Sequence, residues 1–378
     1  MQYRQFGKLE WKPSALGFGC MRLPYLNNDP AQIDELEATR MLRHAIEKGL
    51  NYVDTAYPYH SGNSETFVGR ALQNGFRNWV SLATKLPCWL TNQTEDFDRY
   101  LNEQLAKLQT DHIDFYLLHA LNAGSWHKVR DLGVLEWAER AKADGRIRHI
   151  GFSFHDAYPV FQEIVDAYDH WDFTQIQYNY MDVNNQAGMA GLKYAAERGL
   201  GVIIMEPLLG GRLVRPPQAV HDLWETAPQP RSPAEWALQW LWNQPEVSLV
   251  LSGMSTMQQV EQNLEAAEIS GVGILSQVEL DVVEKVRATY EELCKIPCTA
   301  CAYCQPCPNK VNIPALFDMY NAATMYSLEE RARQAYNHLS LEERADMCIS
   351  CRECEEKCPQ KIPISDWMPE VHAFLSRS

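Results

Sequence analysis

Eight of the 11 cysteines stand in two short runs near the end of the chain. The runs are Cys298, Cys301, Cys304 and Cys307 before one proline, and Cys348, Cys351, Cys354 and Cys358 before another. The second run has the spacing C-x2-C-x2-C-x3-C-P, in which three thiolates hold one iron-sulfur cubane and the fourth reaches a neighbouring one. The first run has one residue fewer before its last cysteine. The spacing predicts two 4Fe-4S clusters.

An exchange of the last cysteine between the runs gives two predicted ligand sets. The first set is Cys298, Cys301, Cys304 and Cys358, and the second is Cys348, Cys351, Cys354 and Cys307. Because the first run departs from the usual spacing, its fourth ligand stays open. Zinc is the alternative metal, but all-cysteine zinc sites are usually two C-x2-C pairs with a longer gap between them. Cys294 is left over as a core or loop thiol.

Four polar residues nearer the N-terminus have the right chemistry to reduce a carbonyl group. Apolar runs end at Asp54, Lys85 and His119, and Tyr59 follows the aspartate by five positions. A lysine cation stabilises a phenolate, so Lys85 would make Tyr59 a better proton donor, and Asp54 would keep that lysine charged. A neutral His119 would donate a hydrogen bond to the carbonyl oxygen. Taken singly, the four also suit a helix cap, a packed tyrosine, a solvated charge and a core histidine.

These residues need a scaffold that brings separate strand ends together. Strand-like apolar runs alternate with helix-length amphipathic stretches, and they begin at Ala15, Asn51, Trp79, Ile113, His149, Phe173, Gly201 and Val247. The helical stretches include residues 34–47, 96–108, 133–143 and 233–243. This order predicts an α/β protein with a closed (β/α)8 TIM barrel, whose strand ends share one mouth. An open doubly wound sheet is the alternative, but GFGCMRLP lacks the third glycine of its nucleotide-binding turn.

The length of the chain suits two domains. We assign residues 1–290 to the barrel and residues 291–378 to a small domain that holds the clusters. A helix predicted from Gln277 to Leu293 leads into that second domain. The stretch from Ile313 to Met347 also predicts helices, so this part resembles an α-helical ferredoxin domain. Metal-thiolate bonds would supply the folding energy that its small core lacks.

Charge and composition exclude several function classes. The formal net charge of -15 is incompatible with a broad basic surface for nucleic acid or anionic lipid. The chain has neither a long apolar run nor a signal-peptide pattern, so we expect no membrane span and no export. Nine cysteines lie from residue 294 onward, unlike a disulfide framework spread through a secreted fold. We expect a cytoplasmic protein whose partners are small molecules or a redox protein.

The sequence DTA with Tyr59, Lys85 and His119 at successive strand ends resembles the catalytic tetrad of the aldo/keto reductase family. The similarity covers about residues 1 to 290. It implies that the tetrad acts on a carbonyl or alcohol substrate, with hydride supplied by NADP or NAD. The resemblance also assigns cofactor contacts to Met21, Ser153, Gln177, Pro207, Leu208, Gly253, Ser255, Gln259 and Asn263.

The resemblance gives particular roles to some of these contacts. Ser153 and Gln177 would hold the nicotinamide carboxamide, and the loop GMSTMQQVEQN, which starts at Gly253, would hold the adenosine phosphate. Asn263 would contact the adenine. That loop contains no Lys or Arg, so a preference for NADPH is not predicted. By itself the loop would also fit the capped start of a surface helix.

Two positions depart from the family pattern in the nicotinamide region. Phe154 stands where relatives have a carboxamide-binding asparagine, and Met205 replaces an aromatic residue that stacks on the nicotinamide. Trp89 and Trp126 lie in loops after Lys85 and His119, where they either line the substrate pocket or pack.

Three classes of function stay open. The first is a nicotinamide-dependent carbonyl reductase that carries clusters. Hydride transfer moves two electrons and a cluster passes one at a time, so a flavin would be needed to link them. The second is therefore an electron-transfer protein with a flavin or a docked partner at the barrel mouth. The third is a regulatory binding module with structural or redox-sensing clusters.

Overall fold

Residues 1–298 and 300–377 are described by the computed structural model of the chain, and they contain a closed barrel of eight parallel strands. The strands pair in sequence order, and the last pairs with the first. They are β1 Leu16–Gly19, β2 Tyr52–Asp54, β3 Ser81–Leu86, β4 Ile113–Leu121, β5 Ile147–Phe154, β6 Phe173–Gln177, β7 Gly201–Met205 and β8 Leu249–Ser252. Each overlaps one predicted strand run, so the predicted barrel is confirmed.

Helices α1 to α10 lie between and after these strands in sequence. They are α1 Glu35–Glu47, α2 Ser64–Ala71, α3 Glu95–Leu108, α4 Ala123–Asp131, α5 Val134–Ala143, α6 Tyr158–Asp166, α7 Gly188–Glu197, α8 Gln218–Trp224, α9 Pro233–Trp242 and α10 Met257–Glu268. Helices α1, α3, α5 and α9 occupy the predicted helical stretches. Among the described residues, no helix has both the length and the apolar character to cross a membrane.

Helix α1 illustrates how the sequence forms the outer layer. The Asp34 carboxylate accepts a hydrogen bond from the Glu37 N–H and caps the first turn. Met41, Leu42 and Ala45 recur at helical spacing and are buried. The strands are covered on both faces, so they appear in the sequence as continuous apolar runs rather than alternating ones.

Aromatic side chains fill the barrel interior near the N-terminal ends of the strands. Phe6 is fully buried, and its ring centroid lies 5.3 Å from that of Phe115 and 6.0 Å from that of Phe173. Trp11 lies 4.8 Å from Phe115 and 6.2 Å from Tyr52. This end of the barrel is packed, so the chemistry is expected at the carboxyl ends of the strands.

The second compact unit combines residues 208–234 with the chain from Ser276 onward. Its helices besides α8 are α11 Gln277–Leu293, α12 Ile313–Tyr326, α13 Glu329–His338, α14 Glu353–Lys357 and α15 Ile364–Leu375. Leu316, Phe317 and Tyr336 belong to its apolar core, and α8 packs against α11. The barrel unit ends at Leu275, whereas the sequence-based boundary at residue 290 lies inside α11.

Candidate active site and candidate cluster sites

Lys85 is the centre of a polar group at the carboxyl ends of the strands. Its Nζ donates hydrogen bonds to Asp54 Oδ1 at 2.7 Å, to the Thr55 carbonyl at 2.8 Å and to the Tyr59 hydroxyl at 3.3 Å. These three bonds use all three ammonium protons. The Lys85 side chain is fully buried. The fold thus brings Asp54, Tyr59 and Lys85 into direct contact.

Burial and the ion pair set the charges in this group. Burial by itself lowers the pKa of Lys85, but Asp54 and Tyr59 outweigh it and raise the pKa above its usual value. Burial raises the pKa of Tyr59 above 10, and the lysine cation offsets only part of that rise. At neutral pH Lys85 is therefore charged and Tyr59 holds its proton. Burial also raises the pKa of Asp54, and the 2.7 Å contact with Lys85 offsets part of that rise.

His119 completes the group from strand β4. Its ring centroid lies 6.1 Å from that of Tyr59 and 5.1 Å from that of Trp89. Burial, then the charges of Lys85 and His155, lower the pKa of His119 well below 6.5, so the ring is neutral. Within the described part of the chain, the buried Nδ1 has no hydrogen-bond partner. The neutral ring can polarise a carbonyl oxygen through a hydrogen bond.

The two tryptophans considered for the substrate pocket have different positions. Trp89 is exposed and lies beside the His119 ring. Trp126 is fully buried, with its ring centroid 6.4 Å from that of Trp171. Trp89 is therefore the one that can contact a substrate at this site.

Strands β5 and β6 place a serine and a glutamine side by side. Ser153 is level with Gln175 in the strand register, and both are buried. Ser153 Oγ accepts a hydrogen bond from the Ala120 N–H at 2.8 Å. Gln175 Nε2 contacts Met205 Sδ at 3.3 Å, and within the described residues the buried Gln175 Oε1 has no partner. Sequence reasoning did not identify Gln175, although it faces the same side of its strand as Gln177.

The side-chain amide of Gln177, a predicted cofactor contact, already has hydrogen-bond partners within the protein. Its Nε2 donates to Asp182 Oδ2 at 2.6 Å, and its Oε1 accepts from Asn185 Nδ2 at 3.1 Å. Both ends of this amide are therefore used inside the protein.

The loop after β8 begins a capped helix. Thr256 Oγ1 accepts from the Gln259 N–H at 3.3 Å and caps α10. The Gln259 side chain accepts from the Ser255 N–H at 2.8 Å. Asn263 is buried and donates to Ser252 Oγ at 3.0 Å. Ser255 and Gln259 thus stand at the start of α10, whereas Asn263 lies further along the helix and bonds to the end of β8.

Arg22 also lies beside this loop, although no sequence motif marks it. A Cβ added to Gly253 would lie 3.2 Å from Arg22 Cβ and 3.4 Å from its Cδ, so the glycine makes room for the arginine stem. The Arg22 carbonyl accepts from Ser255 Oγ at 2.7 Å. Arg22 is exposed, and within residues 1–298 and 300–377 it has no ion-pair partner. It comes from the loop after β1, so only tertiary structure brings this cation to the β8–α10 loop.

The other residues assigned by resemblance have varied surroundings. Met21 is 57% exposed in the loop after β1. Pro207 is buried at the end of a barrel-unit segment, and Leu208 begins a segment of the second unit. Phe154 is buried against Phe161 of α6, with ring centroids 5.2 Å apart.

The cysteines of the two runs surround two cavities. One cavity is lined by Cys307, Cys348, Cys351 and Cys354. The other is lined by Cys298, Cys301, Cys304 and Cys358. These are the two sets that the exchange between the runs predicts. Ile313, at the start of α12, contributes to both cavities.

Four cysteines line each cavity, which is the number of thiolate ligands that a 4Fe-4S cluster takes. Cys294 is not among the residues that line either cavity, and its Sγ lies 3.4 Å from the Ile296 carbonyl.

Comparison with known proteins identifies the family. The model of the aldo/keto reductase family matches residues 15–273, which is more than half of the chain. The chain belongs to the aldo/keto reductase family. The model of the 4Fe-4S dicluster domain matches residues 297–362. This aldo/keto reductase therefore has a C-terminal iron-sulfur domain.

Relatives of this aldo/keto reductase are oxidoreductases. L-galactose dehydrogenase of Arabidopsis thaliana is 29% identical over 317 residues, covering 76% of this chain and 96% of the relative. The uncharacterized oxidoreductase YqkF of Bacillus subtilis is 29% identical over 301 residues, covering 71% and 91%. The solved structure of aldo-keto reductase AKR11C1 from Bacillus halodurans, in its holo form, has a TM-score of 0.65 and 29% identity, covering 76% of this chain and 96% of that one. The chain is an oxidoreductase of this family.

Proposed function

We propose that the barrel reduces a small carbonyl compound, or oxidises the corresponding alcohol, with a nicotinamide cofactor, and that two 4Fe-4S clusters in the second unit transfer electrons. The observation that carries the catalytic part is the contact of Lys85 Nζ with both Asp54 and Tyr59. Separate strands and loops supply these groups, and buried clusters of charged and titratable side chains of this kind are typical of catalytic sites. The cysteines are concentrated in two cluster-type runs instead of being spread as a disulfide framework, which suits a reducing compartment, so we place the protein in the cytoplasm.

The residues of the tetrad divide the proton chemistry among themselves. Tyr59 holds a proton at neutral pH and releases it to the substrate oxygen as negative charge develops there. Lys85 stabilises the phenolate that remains, and Asp54 fixes the lysine in place. Neutral His119 donates a hydrogen bond to the same oxygen. A nicotinamide cofactor bound at the barrel mouth would supply the hydride.

The interior of the barrel has groups that fit a nicotinamide carboxamide. Ser153 and Gln175 are level on neighbouring strands, and the Gln175 Oε1 is buried without a partner in the described residues. A carboxamide N–H would satisfy that acceptor. Both ends of the Gln177 amide are engaged by Asp182 and Asn185, so we favour Gln175 as the contact.

The β8–α10 loop has groups that fit the cofactor phosphate. The start of α10 supplies backbone N–H groups and the positive end of a helix dipole, which favour anions. Arg22 adds an exposed guanidinium next to Gly253 and Ser255. The missing basic residue of the loop is thus replaced by one from elsewhere in the chain. This arrangement is compatible with NADP as well as NAD.

The second candidate function is electron transfer through a flavin or a protein partner at the barrel. The altered nicotinamide region favours it, because Phe154 packs against Phe161 and offers no amide to a cofactor, and Met205 provides no aromatic ring. Cofactor analysis after anaerobic purification separates the two. A tightly bound flavin, or clusters that are reduced by flavin but not by NADH or NADPH, would favour this candidate.

The catalytic proposal is tested by removing one hydroxyl. Tyr59→Phe should lower kcat for anaerobic NADPH- or NADH-dependent aldehyde reduction by about 100-fold or more, because the proton donor is lost. Tyr57→Phe is the matched control, since its hydroxyl lies 3.5 Å from Glu103 and outside the tetrad. That control should retain nearly all activity. Equal activity of Tyr59→Phe and wild type across a panel of aldehydes would refute the proposed mechanism.

The cluster proposal is tested by metal content. Anaerobically purified protein should contain about eight iron atoms and eight acid-labile sulfides per chain, the content of two cubanes. Cys307→Ser and Cys358→Ser should each lower the iron content by up to about four atoms, because each removes a ligand from one cluster. Cys294→Ser is the control and should leave the iron content unchanged. Zinc in place of iron would refute the proposal.

A further inference from the structure

The turn that carries Tyr59 has an unusual backbone. It is a short 3-10 segment, Tyr59–Gly62, in which His60 has φ 52° and ψ 45° and Ser61 has φ 55° and ψ 32°. These are left-handed conformations that favour glycine, and two consecutive residues with side chains adopt them here. Such a conformation persists only where neighbouring contacts hold it.

The His60 side chain makes those contacts. The ring is only 7% exposed, and its Nδ1 lies 2.7 Å from the Pro30 carbonyl while its Nε2 lies 3.2 Å from the Leu23 N–H. A carbonyl only accepts and an amide only donates, so Nδ1 carries the proton and Nε2 accepts. One neutral imidazole thus ties two backbone groups of the loop between β1 and α1 to the residue next to Tyr59.

Further hydrogen bonds join the same two loops. Asn63 Nδ2 donates to the Ala31 carbonyl at 2.9 Å, and Ser64 Oγ donates to the Cys20 carbonyl at 3.2 Å. His60 is the member of this set that reaches Leu23, the neighbour of Arg22. The loop after β1 is therefore joined near its start and near its end to the segment that carries Tyr59.

The same loop also contacts the start of α10. Its Arg22 carbonyl accepts from Ser255 Oγ at 2.7 Å, and the Arg22 stem packs on Gly253. Residues 22 and 23 are adjacent, so the loop links two places that are far apart in sequence. On one side is the proposed phosphate site, and on the other is the turn of Tyr59.

We infer that His60 is a positioning residue that couples the proposed phosphate site to Tyr59. A phosphate held by Arg22 and Ser255 fixes Leu23, and Leu23 fixes the Tyr59 turn through the His60 ring. By reciprocity, a well-ordered Tyr59 turn strengthens cofactor binding. The effect on cofactor affinity rests on the proposed nicotinamide function, whereas the mechanical link between the two loops does not.

Two glycine variants distinguish the effect of the imidazole ring from the effect of the left-handed backbone. His60→Gly removes the ring and also relieves the left-handed backbone, so loss of folding is not expected. Ser61→Gly is the matched control, because it relieves the neighbouring left-handed residue and leaves the His60 ring in place. Hydrogen-deuterium exchange of residues 21–33 should be at least tenfold faster in His60→Gly than in Ser61→Gly. The dissociation constant for NADPH or NADH should rise about tenfold in His60→Gly alone.

A partial substitute provides a further check. Asn tolerates a left-handed backbone, and His60→Asn places an amide donor near the Pro30 carbonyl but nothing at Leu23. The hydrogen-deuterium exchange rate of residues 21–33 and the cofactor affinity of this variant should lie between those of wild type and His60→Gly. The KM for the carbonyl substrate should change less than twofold, since the ring does not contact substrate.

The link made by His60 and the nicotinamide-dependent function can fail separately in these experiments. Equal exchange of residues 21–33 in His60→Gly and Ser61→Gly would overturn the role of His60. Faster exchange with unchanged cofactor affinity would overturn the coupling. If wild type binds neither nicotinamide cofactor, the proposed function fails, and the exchange comparison still decides whether His60 holds the two loops together.

Discussion

Lys85 is the most constrained charge in the barrel. Removing an ammonium ion from water is costly unless an opposite charge and hydrogen bonds replace the water. Asp54 supplies the charge at 2.7 Å, and the Thr55 carbonyl and Tyr59 hydroxyl accept the two other protons. The same contacts that make burial tolerable also fix the lysine beside the tyrosine. Stability and the proposed catalysis therefore depend on the same atoms at this residue.

His119 gives a prediction for pH. Its folded pKa lies well below 6.5 because of burial and the charges of Lys85 and His155. Below a pH of about 6.5 the unfolded chain binds a proton that the folded chain does not, so stability falls as the pH drops towards the folded pKa. This contribution is complete above about pH 6.5, and its slope below is at most about 1.4 kcal/mol per pH unit.

His119→Asn removes this dependence. Urea unfolding of the barrel at about pH 7.5, 6.5 and 5.5 should show wild type losing stability relative to the variant as the pH falls. Above about pH 6.5 the difference between the two proteins should be constant. Unfolding free energies that run parallel over the whole range would contradict a buried neutral imidazole.

At the level of secondary structure, hydrogen bonds from the outer helices hold strand β3 at the position of Lys85. Strand alternation turns Lys85 inward and Thr84 outward. Glu65 Oε1 accepts from Thr84 Oγ1 at 2.6 Å and from Gln104 Nε2 at 2.7 Å. Gln104 Nε2 also donates to the Lys85 carbonyl at 2.9 Å, and its Oε1 accepts from the Tyr116 hydroxyl at 2.7 Å. Helices α2 and α3 thus fix the backbone that carries Lys85.

Gln104→Leu tests this arrangement. It leaves the Tyr116 hydroxyl and the Lys85 carbonyl buried with fewer partners, so the free energy of unfolding should fall by about 2 kcal/mol or more. Turnover should also fall several-fold, because Lys85 loses a backbone support. The control is Asn102→Ala, an exposed position on the same helix, where a change within about 0.5 kcal/mol is expected. Equal free energies of unfolding for the two variants would contradict the role of Gln104 in holding the backbone at Lys85.

Strand periodicity explains why the cofactor residues were harder to assign than the strands. Gln175 and Gln177 lie two positions apart on β6, so both face the same side. Alternation alone cannot choose between them. The choice depends on Asp182 and Asn185, which occupy the Gln177 amide and leave the Gln175 Oε1 without a partner in the described part of the chain. Those contacts arise only after the chain has folded.

At the scale of the whole molecule, the second unit takes in a segment that interrupts the barrel sequence. Residues 208–234 belong to it, and Arg212 of this segment lies 3.4 Å from Asp318 of α12. No shift in composition marks the segment, so its place in the second unit could not be predicted from the sequence. The cysteine runs, in contrast, mark the second unit clearly because their spacing has few other uses.

Removal of iron should affect the two units differently. The core of the second unit includes cysteine side chains, so loss of the clusters removes bonds that support it. After anaerobic chelation, hydrogen-deuterium exchange should increase across residues 300–377 and stay slow in strands β1 to β8. Chelation of Cys294→Ser should give the same pattern as wild type. An equal increase of exchange in the barrel and in the second unit would contradict the idea that the clusters stabilise only the second unit.

The eight strands, the closed barrel and the two cysteine runs could be predicted from the sequence, which also singled out Asp54, Tyr59, Lys85 and His119 as candidates. These features rest on short-range periodicity and on residue types at fixed spacing, which can be read along the chain. The approach of Arg22 to Gly253, the free Oε1 of Gln175 and the hydrogen bonds of His60 to the loop after β1 appear only in the tertiary structure. Each depends on contacts between segments distant in sequence, and a local pattern carries no information about such contacts.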